Sequence, residues 1–322
     1  MTQARTGIII REQSGFYWVA ADDSQTYMCQ LRGRLMEEAK TSDIAAIGDR
    51  ATISLRREAG TDALMGTIEQ LAPRRSALSR AVRTTGKRGA GQAEREHVLI
   101  ANADRALFVF AAAQPALDLS MLDRLLVAGE KSAIGALLIV LNKIDLGAPP
   151  ALDAILAGYE RLGYRTLRTS ARHGDGIEEL RSLLGAGISV FTGPSGVGKT
   201  SLLNCLQPGL GRQVKAVGGA SQEGVHTTRD SALVPVGGGY LADTPGIRSL
   251  APWDIEPDEL DAYFVDISRF VQRCKFSNCT HIDEPACAVR QAVATGEIAR
   301  HRYQHYLELR EELRDTYIVY NR

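Results

Sequence analysis

The chain has 322 residues, of which 44% are hydrophobic and 24% charged, with 31 Gly and 11 Pro. This composition fits a globular protein of two or three domains, and it excludes collagen-like, mucin-like and largely disordered proteins. The 38 basic and 38 acidic residues give a formal net charge of zero, which argues against a wholly basic nucleic-acid coat protein. No apolar run approaches the roughly 20 residues of a membrane span, and the N-terminus does not resemble a signal peptide. We therefore expect a cytoplasmic protein with no membrane partner.

Residues 1–72 are predicted to form a small β-barrel. Five short runs rich in β-branched and aromatic residues are separated by Gly and Asp turns: GIIIRE, FYWVAA, QTYMCQLRG, RATISL and LMGTIEQL. Five strands in about seventy residues favour an OB-fold. A small β-sandwich is the alternative.

Residues 73–96 are a basic segment between two predicted domains. Because the segment lacks hydrophobic periodicity and is rich in Arg, Gly and Ser, we predict a mobile loop. Clusters of Arg without acids displace counterions from phosphates, so contact with RNA is expected, and a solvated run of charges is the alternative. The basic residues are Arg74, Arg75, Arg80, Arg83, Lys87 and Arg88.

Residues 97–250 are predicted to form an α/β domain, because apolar runs of strand length alternate with amphipathic helical patterns. Nearly continuous Val, Ile and Leu in such runs are typical of a parallel sheet covered by helices on both faces. The predicted strands are ALFVFAA, ALLIVLN, YRTLRTS, GISVFTG, SALVPV and GGYLADTPG. The predicted helices are Leu117–Ala128, Ala151–Leu162, Gly176–Leu184 and Lys199–Leu206.

A phosphate-binding loop follows the strand GISVFT, where GPSGVGKTS leads into the helix SLLNCL. Its glycines let backbone N–H groups turn inward around phosphate oxygens, at the N-terminus of the new helix. Lys199 is expected to bridge the β- and γ-phosphates, and Thr200 to ligate Mg²⁺. The residues expected to contact the nucleotide here are Gly193, Ser195, Gly196, Val197, Gly198, Lys199, Thr200 and Ser201.

The base is predicted to be guanine. The strand ALLIVL ends in Asn142, Lys143, Ile144 and Asp145, the N-K-x-D pattern of GTP-binding proteins. The Asp145 carboxylate can accept from guanine N1–H and the 2-amino group, donors that adenine lacks. Asn142 is expected to brace the loop and interact with guanine. After the next strand, Ser170 and Ala171 belong to a companion loop whose backbone N–H meets guanine O6.

Two switch elements are predicted further along the chain. In LADTPG, Asp243 is expected to hold the Mg²⁺ shell through water, and the Gly246 N–H to sense the γ-phosphate. Between this motif and the P-loop lies a long, largely polar loop, Gly209–Asp230, which is suited to order when GTP binds. A threonine of this loop can reach Mg²⁺, and the choice between Thr227 and Thr228 is open.

The order of the motifs is unusual. GTPases ordinarily run from P-loop to switch threonine, D-x-x-G, N-K-x-D and Ser-Ala, but here N-K-I-D at 142 and Ser-Ala at 170 precede the P-loop at 193. The set is therefore complete but circularly permuted. The D-x-x-G strand leads directly into the C-terminal region, so we expect switch motion to be covalently connected to that region.

Residues 251–322 are predicted to be helical, around a cluster of metal-binding residue types. Three thiolates and one imidazole form the closed tetrahedral ligand set of a structural zinc ion, and buried reduced thiols are the alternative. The chain then ends in a long polar helix, ATGEIARHRYQHYLELREELRDTY, with an apolar stripe. The predicted zinc ligands are Cys274, Cys279, His281 and Cys287.

On these motifs the chain resembles the ribosome small-subunit-dependent GTPase A family (RsgA, also called YjeQ). The resemblance covers essentially the whole chain and rests on the permuted order, GPSGVGKTS, GxHTT at 224–228, DTPGI and CKFSNCTHIDEPACAV. It implies an N-terminal OB-fold barrel, a central circularly permuted P-loop GTPase domain and a C-terminal helical zinc-binding domain. It also implies GTP hydrolysis stimulated by the 30S subunit, a late role in the maturation of that subunit, and contact with its 16S rRNA. We expect a monomer. The family's third switch threonine is Arg229 here.

The hydrolysis machinery looks incomplete. Ile247 stands where Ras-like enzymes carry the glutamine that positions the attacking water, and its side chain can neither donate nor accept a hydrogen bond. His226 is the candidate within the chain for this catalytic task, and a histidine that only orders the switch backbone is the alternative. Other functions also stay open: an RNA-binding protein that uses GTP only as a conformational ligand, a GTPase acting on another RNA, or a metal-delivery GTPase, which the closed zinc ligand set disfavours.

Overall fold

The computed structural model describes residues 4–38, 43–57, 64–83, 94–211, 213, 231–242 and 255–320. Its N-terminal part is a barrel of five strands in the order β1-β2-β3-β5-β4, and β4 pairs again with β1 to close it. One apolar side chain from each strand is wholly buried inside the barrel. The predicted barrel is thus confirmed, and the β-sandwich alternative is wrong. The elements are β1 Ala4–Gln13, β2 Phe16–Ala21, β3 Thr26–Leu31, helix α1 Gly33–Glu38, β4 Arg50–Arg57 and β5 Leu64–Leu71.

A two-stranded antiparallel sheet follows the barrel, formed by β6 (Ala77–Arg83) and β7 (Glu94–Ala101). Leu78, Val98 and Ile100 of these strands are buried. The loop predicted for residues 73–96 is therefore wrong where these strands lie, and residues 84–93 fall outside the described part of the chain. The apolar residues come from two separated segments, so neither segment alone shows a clear period.

The start of the basic segment is tied into the fold rather than directed at RNA. The Arg74 guanidinium donates to both carboxylate oxygens of Asp49, at 2.9 and 2.8 Å, and to the Asp43 carbonyl at 2.9 Å. Asp49 is only 1% exposed. Arg75 is mostly exposed and pairs with Asp104 at 3.0 Å. The expectation of RNA contact is therefore not supported at Arg74, because its guanidinium is paired with the buried Asp49 carboxylate.

The α/β part has a six-stranded sheet in the order β10-β9-β8-β11-β13-β12. Its strands pair in parallel except for β12 and β13, which are antiparallel, so the prediction of a wholly parallel sheet is wrong at this edge. Two turn glycines, Gly237 and Gly238, both with positive φ, join these two strands directly. The strands are β8 Arg105–Ala111, β9 Ala136–Asn142, β10 Arg165–Arg168, β11 Ile188–Thr192, β12 Ser231–Val236 and β13 Gly239–Ala242.

Helices pack on both faces of this sheet around two apolar clusters, as the sequence predicts. The strand residues of β8 and β9 alternate between the two clusters, which is why both strands read as unbroken apolar runs. The helices are α2 Leu119–Lys131, α3 Ala151–Leu162, α4 Ile177–Leu183 and α5 Lys199–Leu206.

Barrel and α/β sheet are continuous, because β1 pairs with β2 on one side and with β12 on the other. The two faces of β1 serve the two parts of the molecule. Ile9 is buried in the barrel core, whereas Ile8 and Ile10 pack against the core of the α/β part. The barrel is thus attached to the strand that immediately follows residues 209–230.

The C-terminal part is helical, as predicted, and its core includes Val127 of α2. The long helix begins later than predicted, because Gly296 ends the preceding helix with φ of 81°. The predicted apolar stripe of the last helix contributes Tyr306 and Leu309 to this core. Among the described residues, no helix is long and apolar enough to cross a membrane. The helices are α6 Leu260–Tyr263, α7 Val265–Val271, α8 Ala288–Thr295 and α9 Arg300–Tyr320.

Candidate functional site

The P-loop connects β11 to α5 and needs glycine at two positions. Gly193 has φ of 149°, and a Cβ there would lie 2.0 Å from the carbonyl oxygen of Val109 on the neighbouring strand. Gly198 has φ of 94°, and a Cβ there would lie 2.4 Å from Nδ2 of Asn142. Side chains are excluded at both positions by φ and by space. The loop therefore lies closely against β8 and the end of β9.

Lys199 begins α5, and its side chain folds back along the loop. Its Nζ donates to the carbonyl oxygens of Gly193 at 2.7 Å and Pro194 at 2.5 Å. Val197 is fully buried beneath the loop, whereas Ser195 and Gly196 are exposed. The loop thus has a buried anchor and an open rim, with an ammonium group held at its centre. A polyphosphate bound at this rim would meet that ammonium group.

Asn142 joins the three motif loops at the carboxyl edge of the sheet. This side chain is 1% exposed, and its Nδ2 donates to the Val197 carbonyl at 2.9 Å. Its Oδ1 accepts from the Ala171 N–H and from the Thr169 hydroxyl, each at 3.2 Å. The P-loop, the N-K-I-D loop and the Ser-Ala loop are therefore fixed to one another by a single amide.

Asp145 is held by the Ser-Ala loop. The Ser170 hydroxyl donates to Asp145 Oδ1 at 2.7 Å. This hydrogen bond, together with the charges of His173 and Arg172, lowers the pKa of Asp145 below its ordinary value. The carboxylate is therefore ionised at neutral pH and is prepared to accept hydrogen bonds.

Lys143 adopts a left-handed conformation, with φ of 61°. Its Nζ donates to the carbonyl of Gln114, in the turn between β8 and α2. The Ala112 N–H donates to the Asn142 carbonyl at 2.8 Å, which holds this turn beside the end of β9. This turn carries no sequence motif and was not predicted. Its one signal in the sequence is its position after a buried strand at the same sheet edge.

The predicted switch residues are not part of this described geometry. His226, Thr227, Thr228, Asp243 and Gly246 all lie outside the described residues. Thr200 and Ser201 lie in the first turn of α5, next to Lys199. The structure thus brings together the P-loop, N-K-I-D and Ser-Ala residues at one edge, where parallel α/β sheets bind their ligands.

The Cys/His cluster forms a second site, in the C-terminal part. One ligand atom from each of its four residues lies within 4.8 Å of the others. His281 Nδ1 is 3.6 Å from Cys274 Sγ and 3.5 Å from Cys287 Sγ, and the two sulfurs are 4.0 Å apart. Tetrahedral zinc with ordinary bond lengths requires S···N near 3.6 Å and S···S near 3.8 Å. The ligand set, and the spacing of Cys274, His281 and Cys287, therefore fit a closed zinc site, with Cys279 near enough to be the fourth ligand.

Groups around the cluster orient its ligands. His281 is fully buried, and its Nε2 lies 3.1 Å from Asp261 Oδ2, which leaves Nδ1 facing the sulfurs. The Tyr303 hydroxyl donates to the His281 carbonyl at 2.6 Å, and the Tyr306 hydroxyl to the Thr280 carbonyl at 3.1 Å. The ligand loop is thus supported by α9.

The chain is similar to known proteins along nearly its whole length. The family model described as RsgA GTPase matches residues 71–253, and that of the RsgA N-terminal domain matches residues 6–61. The chain is 39% identical over 314 residues to the small ribosomal subunit biogenesis GTPase RsgA of Gemmatimonas aurantiaca, covering 97% of this chain and 99% of that protein. It is 38% identical over 308 residues to the protein of the same name from Moorella thermoacetica, covering 95% and 97%.

Solved structures are similar over nearly the whole chain as well. The crystal structure of YjeQ from Thermotoga maritima matches with a TM-score of 0.73 and 32% identity, covering 97% of this chain and 99% of that one. YloQ, described as a circularly permuted GTPase, matches with a TM-score of 0.72 and 31% identity, covering 98% and 96%. The predicted circular permutation and family resemblance are confirmed. The chain belongs to the RsgA GTPase family.

Proposed function

We propose that this chain hydrolyses GTP during late maturation of the small ribosomal subunit, and that the 30S subunit stimulates its turnover. The observation that carries the proposal is the convergence of the P-loop, N-K-I-D and Ser-Ala loops on Asn142. Relatives that match over nearly the full length are named small ribosomal subunit biogenesis GTPases, which supports the biological context.

The nucleotide is proposed to lie along the carboxyl edge of the sheet. Asp145 would accept from guanine N1–H and the 2-amino group. The Ala171 N–H, which donates to Asn142 Oδ1 in the structure, would donate to O6 instead when guanine is bound. Lys199 would meet the β- and γ-phosphates, and α5 would direct its first N–H groups at them. The further contacts proposed are Asn142, Lys143, Ser170, Gly193, Ser195, Gly196, Val197, Gly198, Thr200 and Ser201.

Magnesium is proposed to bind between the phosphates and Thr200. When bound, Mg²⁺ neutralises charge that develops on the phosphate oxygens. The Thr200 hydroxyl would be a ligand, with Asp243 acting through water and Thr227 or Thr228 closing over the ion. The Gly246 N–H would sense the γ-phosphate.

His226 is proposed to orient the attacking water, because Ile247 cannot. A site that lacks the usual glutamine hydrolyses GTP slowly until another group completes it. That deficiency suits an enzyme whose partner controls the reaction. The 30S subunit would therefore act by holding the segment around His226 in its working position.

The other parts of the chain are proposed to hold the GTPase on the subunit. We assign 1–72 to an RNA-contacting barrel, 73–96 to a basic connection, 97–250 to the GTPase domain and 251–322 to the C-terminal zinc module. One structural Zn²⁺, held by the Cys274, Cys279, His281 and Cys287 cluster, would stabilise that module. The protein would act as a monomer in the cytoplasm and contact the 16S rRNA.

Co-sedimentation with purified subunits tests the proposed partner. A non-hydrolysable GTP analogue should increase the amount of protein that sediments with 30S subunits, relative to GDP, and 50S subunits should not retain it. Binding that is equal for both subunits, or equal for both nucleotides, would contradict the proposal.

A further inference from the structure

A buried ion cluster joins the GTPase domain to the C-terminal module. Asp123 of α2 is 1% exposed, and Arg302 of α9 is 3% exposed. Arg302 Nη1 donates to Asp123 Oδ1 at 2.5 Å, and its Nε and Nη2 donate to the two oxygens of Asp266, in α7, at 2.8 and 2.7 Å. One guanidinium thus bridges carboxylates from the two parts of the molecule.

Neighbouring groups complete this cluster, which we call the Asp123 cluster: Asp123, Tyr159, Asp266, Arg302 and His305. The Tyr159 hydroxyl donates to Asp123 Oδ1 at 2.7 Å, and His305 Nδ1 lies 2.6 Å from Asp123 Oδ2. The hydrogen bond to Asp123 raises the pKa of His305. Loss of one partner from such a cluster leaves a buried charge uncompensated. Separation of the C-terminal module from α2 is therefore strongly disfavoured.

The N-terminal end of α2, four residues before Asp123, leads to the nucleotide site. The helix begins directly after the turn whose Gln114 carbonyl accepts from Lys143 Nζ and whose Ala112 N–H donates to the Asn142 carbonyl. The same turn approaches the P-loop, since a Cβ on Gly196 would lie 3.9 Å from Cδ of Pro115. The side of α2 therefore contacts the C-terminal module, and the turn before α2 contacts the N-K-I-D loop.

We propose that Asp123 and Arg302 are positioning residues that fix the C-terminal module to α2, and that this contact links guanine-nucleotide binding to the order of the module. A nucleotide that restrains Lys143 and the P-loop also restrains the turn before α2, and the docked module restrains α2 itself. This linkage is reciprocal. Docking of the module on α2 therefore raises nucleotide affinity by the same factor by which bound nucleotide favours docking. The inference rests on the proposed function only in requiring that guanine nucleotide bind at this site.

Hydrogen exchange of the full-length, zinc-loaded protein tests the link. In the unmodified protein, GDP should slow the exchange of α9 amides by about fivefold or more, the lower range of measured coupling between sites. Asp123→Asn keeps the shape but removes the charge, so GDP should no longer protect α9. The GDP affinity of Asp123→Asn should fall by the same factor by which GDP slows α9 exchange in the unmodified protein. The zinc content should stay at one ion per chain.

Glu312→Gln is the matched control. Glu312 pairs with Arg124 across the same two helices, at 2.8 and 2.6 Å, but at the surface, where an ion pair contributes little. This variant should retain GDP-dependent protection. Arg302→Lys, which keeps the charge but loses the paired hydrogen bonds to Asp266, provides a second test and should show reduced protection.

Two results would overturn the inference: equal protection of α9 in Asp123→Asn and the unmodified protein, or GDP binding that leaves α9 exchange unchanged in the unmodified protein. If GDP fails to bind the unmodified protein at all, the proposed function is contradicted together with the link. Binding measured separately by calorimetry distinguishes these cases.

Discussion

At the scale of single residues, we propose that the choice of guanine over adenine depends on Asp145. The carboxylate is ionised and held by Ser170, with two acceptor oxygens for the two donors on one edge of guanine. Asp145→Asn should weaken GTP binding by at least about 10²-fold, because two charge-assisted hydrogen bonds are lost. Xanthosine triphosphate should recover part of that loss, because the amide then faces a carbonyl at C2.

Affinities measured by calorimetry for GTP and xanthosine triphosphate check this prediction. Asp153→Asn is the control, since Asp153 is an exposed acid of α3 that pairs only with Arg168 among the described ion pairs. Equal GTP affinity in Asp145→Asn and the unmodified protein would remove Asp145 from the guanine site.

His226 is proposed to orient the attacking water. His226→Ala should leave nucleotide affinity nearly intact and reduce subunit-stimulated turnover by about 10²-fold, the contribution of a positioned proton acceptor or water-orienting group. Nucleotide affinity and turnover are measured on the same preparation. Unchanged turnover with subunits present would assign the water to the ribosome or to backbone groups.

Arg74 stabilises the fold through its ion pair with Asp49, although it lies in a segment rich in basic residues. Arg74→Ala should lower the free energy of unfolding by about 3 kcal/mol, because it removes the cation that pairs with the buried Asp49 carboxylate. Arg75→Ala is the control, with an expected change below about 0.5 kcal/mol, since Arg75 is exposed. Urea denaturation measures both, and equal stability of the two variants would contradict this role.

At the scale of elements, we propose that zinc bound by the Cys/His cluster holds the loop between α7 and α8 in place. Cys279→Ser should lower bound zinc below one ion per chain and open the C-terminal module to protease, since structural zinc sites contribute folding energy directly. Cys205→Ser should leave the zinc content unchanged, because Cys205 lies on α5 outside the cluster. A metal-free preparation with an unchanged melting profile would argue against structural zinc.

Elements with a local period were predictable from the sequence, and so were sites whose residues stand close together in the chain. The P-loop, N-K-I-D and the zinc ligands each occupy one short stretch that leads from or into a regular element. Asp123 and Arg302 could not be found in this way, because they are 179 positions apart and each resembles an ordinary surface charge. The strands β6 and β7 were missed since the apolar face they share is divided between two segments.

At the scale of the whole molecule, the barrel and the C-terminal module each attach to an element that adjoins a segment proposed to bind or sense the nucleotide. The barrel strand β1 pairs with β12, which follows residues 209–230, and the C-terminal module packs on α2, which follows the Gln114 turn. We propose that both of these parts contact the small ribosomal subunit. We propose that a large partner acts through these two attachments on a catalytic site that is otherwise incomplete.

The rate of GTP hydrolysis, measured with and without purified 30S subunits, shows whether the subunit stimulates this GTPase. We predict that 30S subunits raise turnover by about tenfold or more, as expected when a partner completes the positioning of a catalytic group. Purified 50S subunits at the same concentration should produce no such increase. Equal turnover with 30S subunits, with 50S subunits and with the protein alone would contradict the proposed subunit-stimulated GTPase.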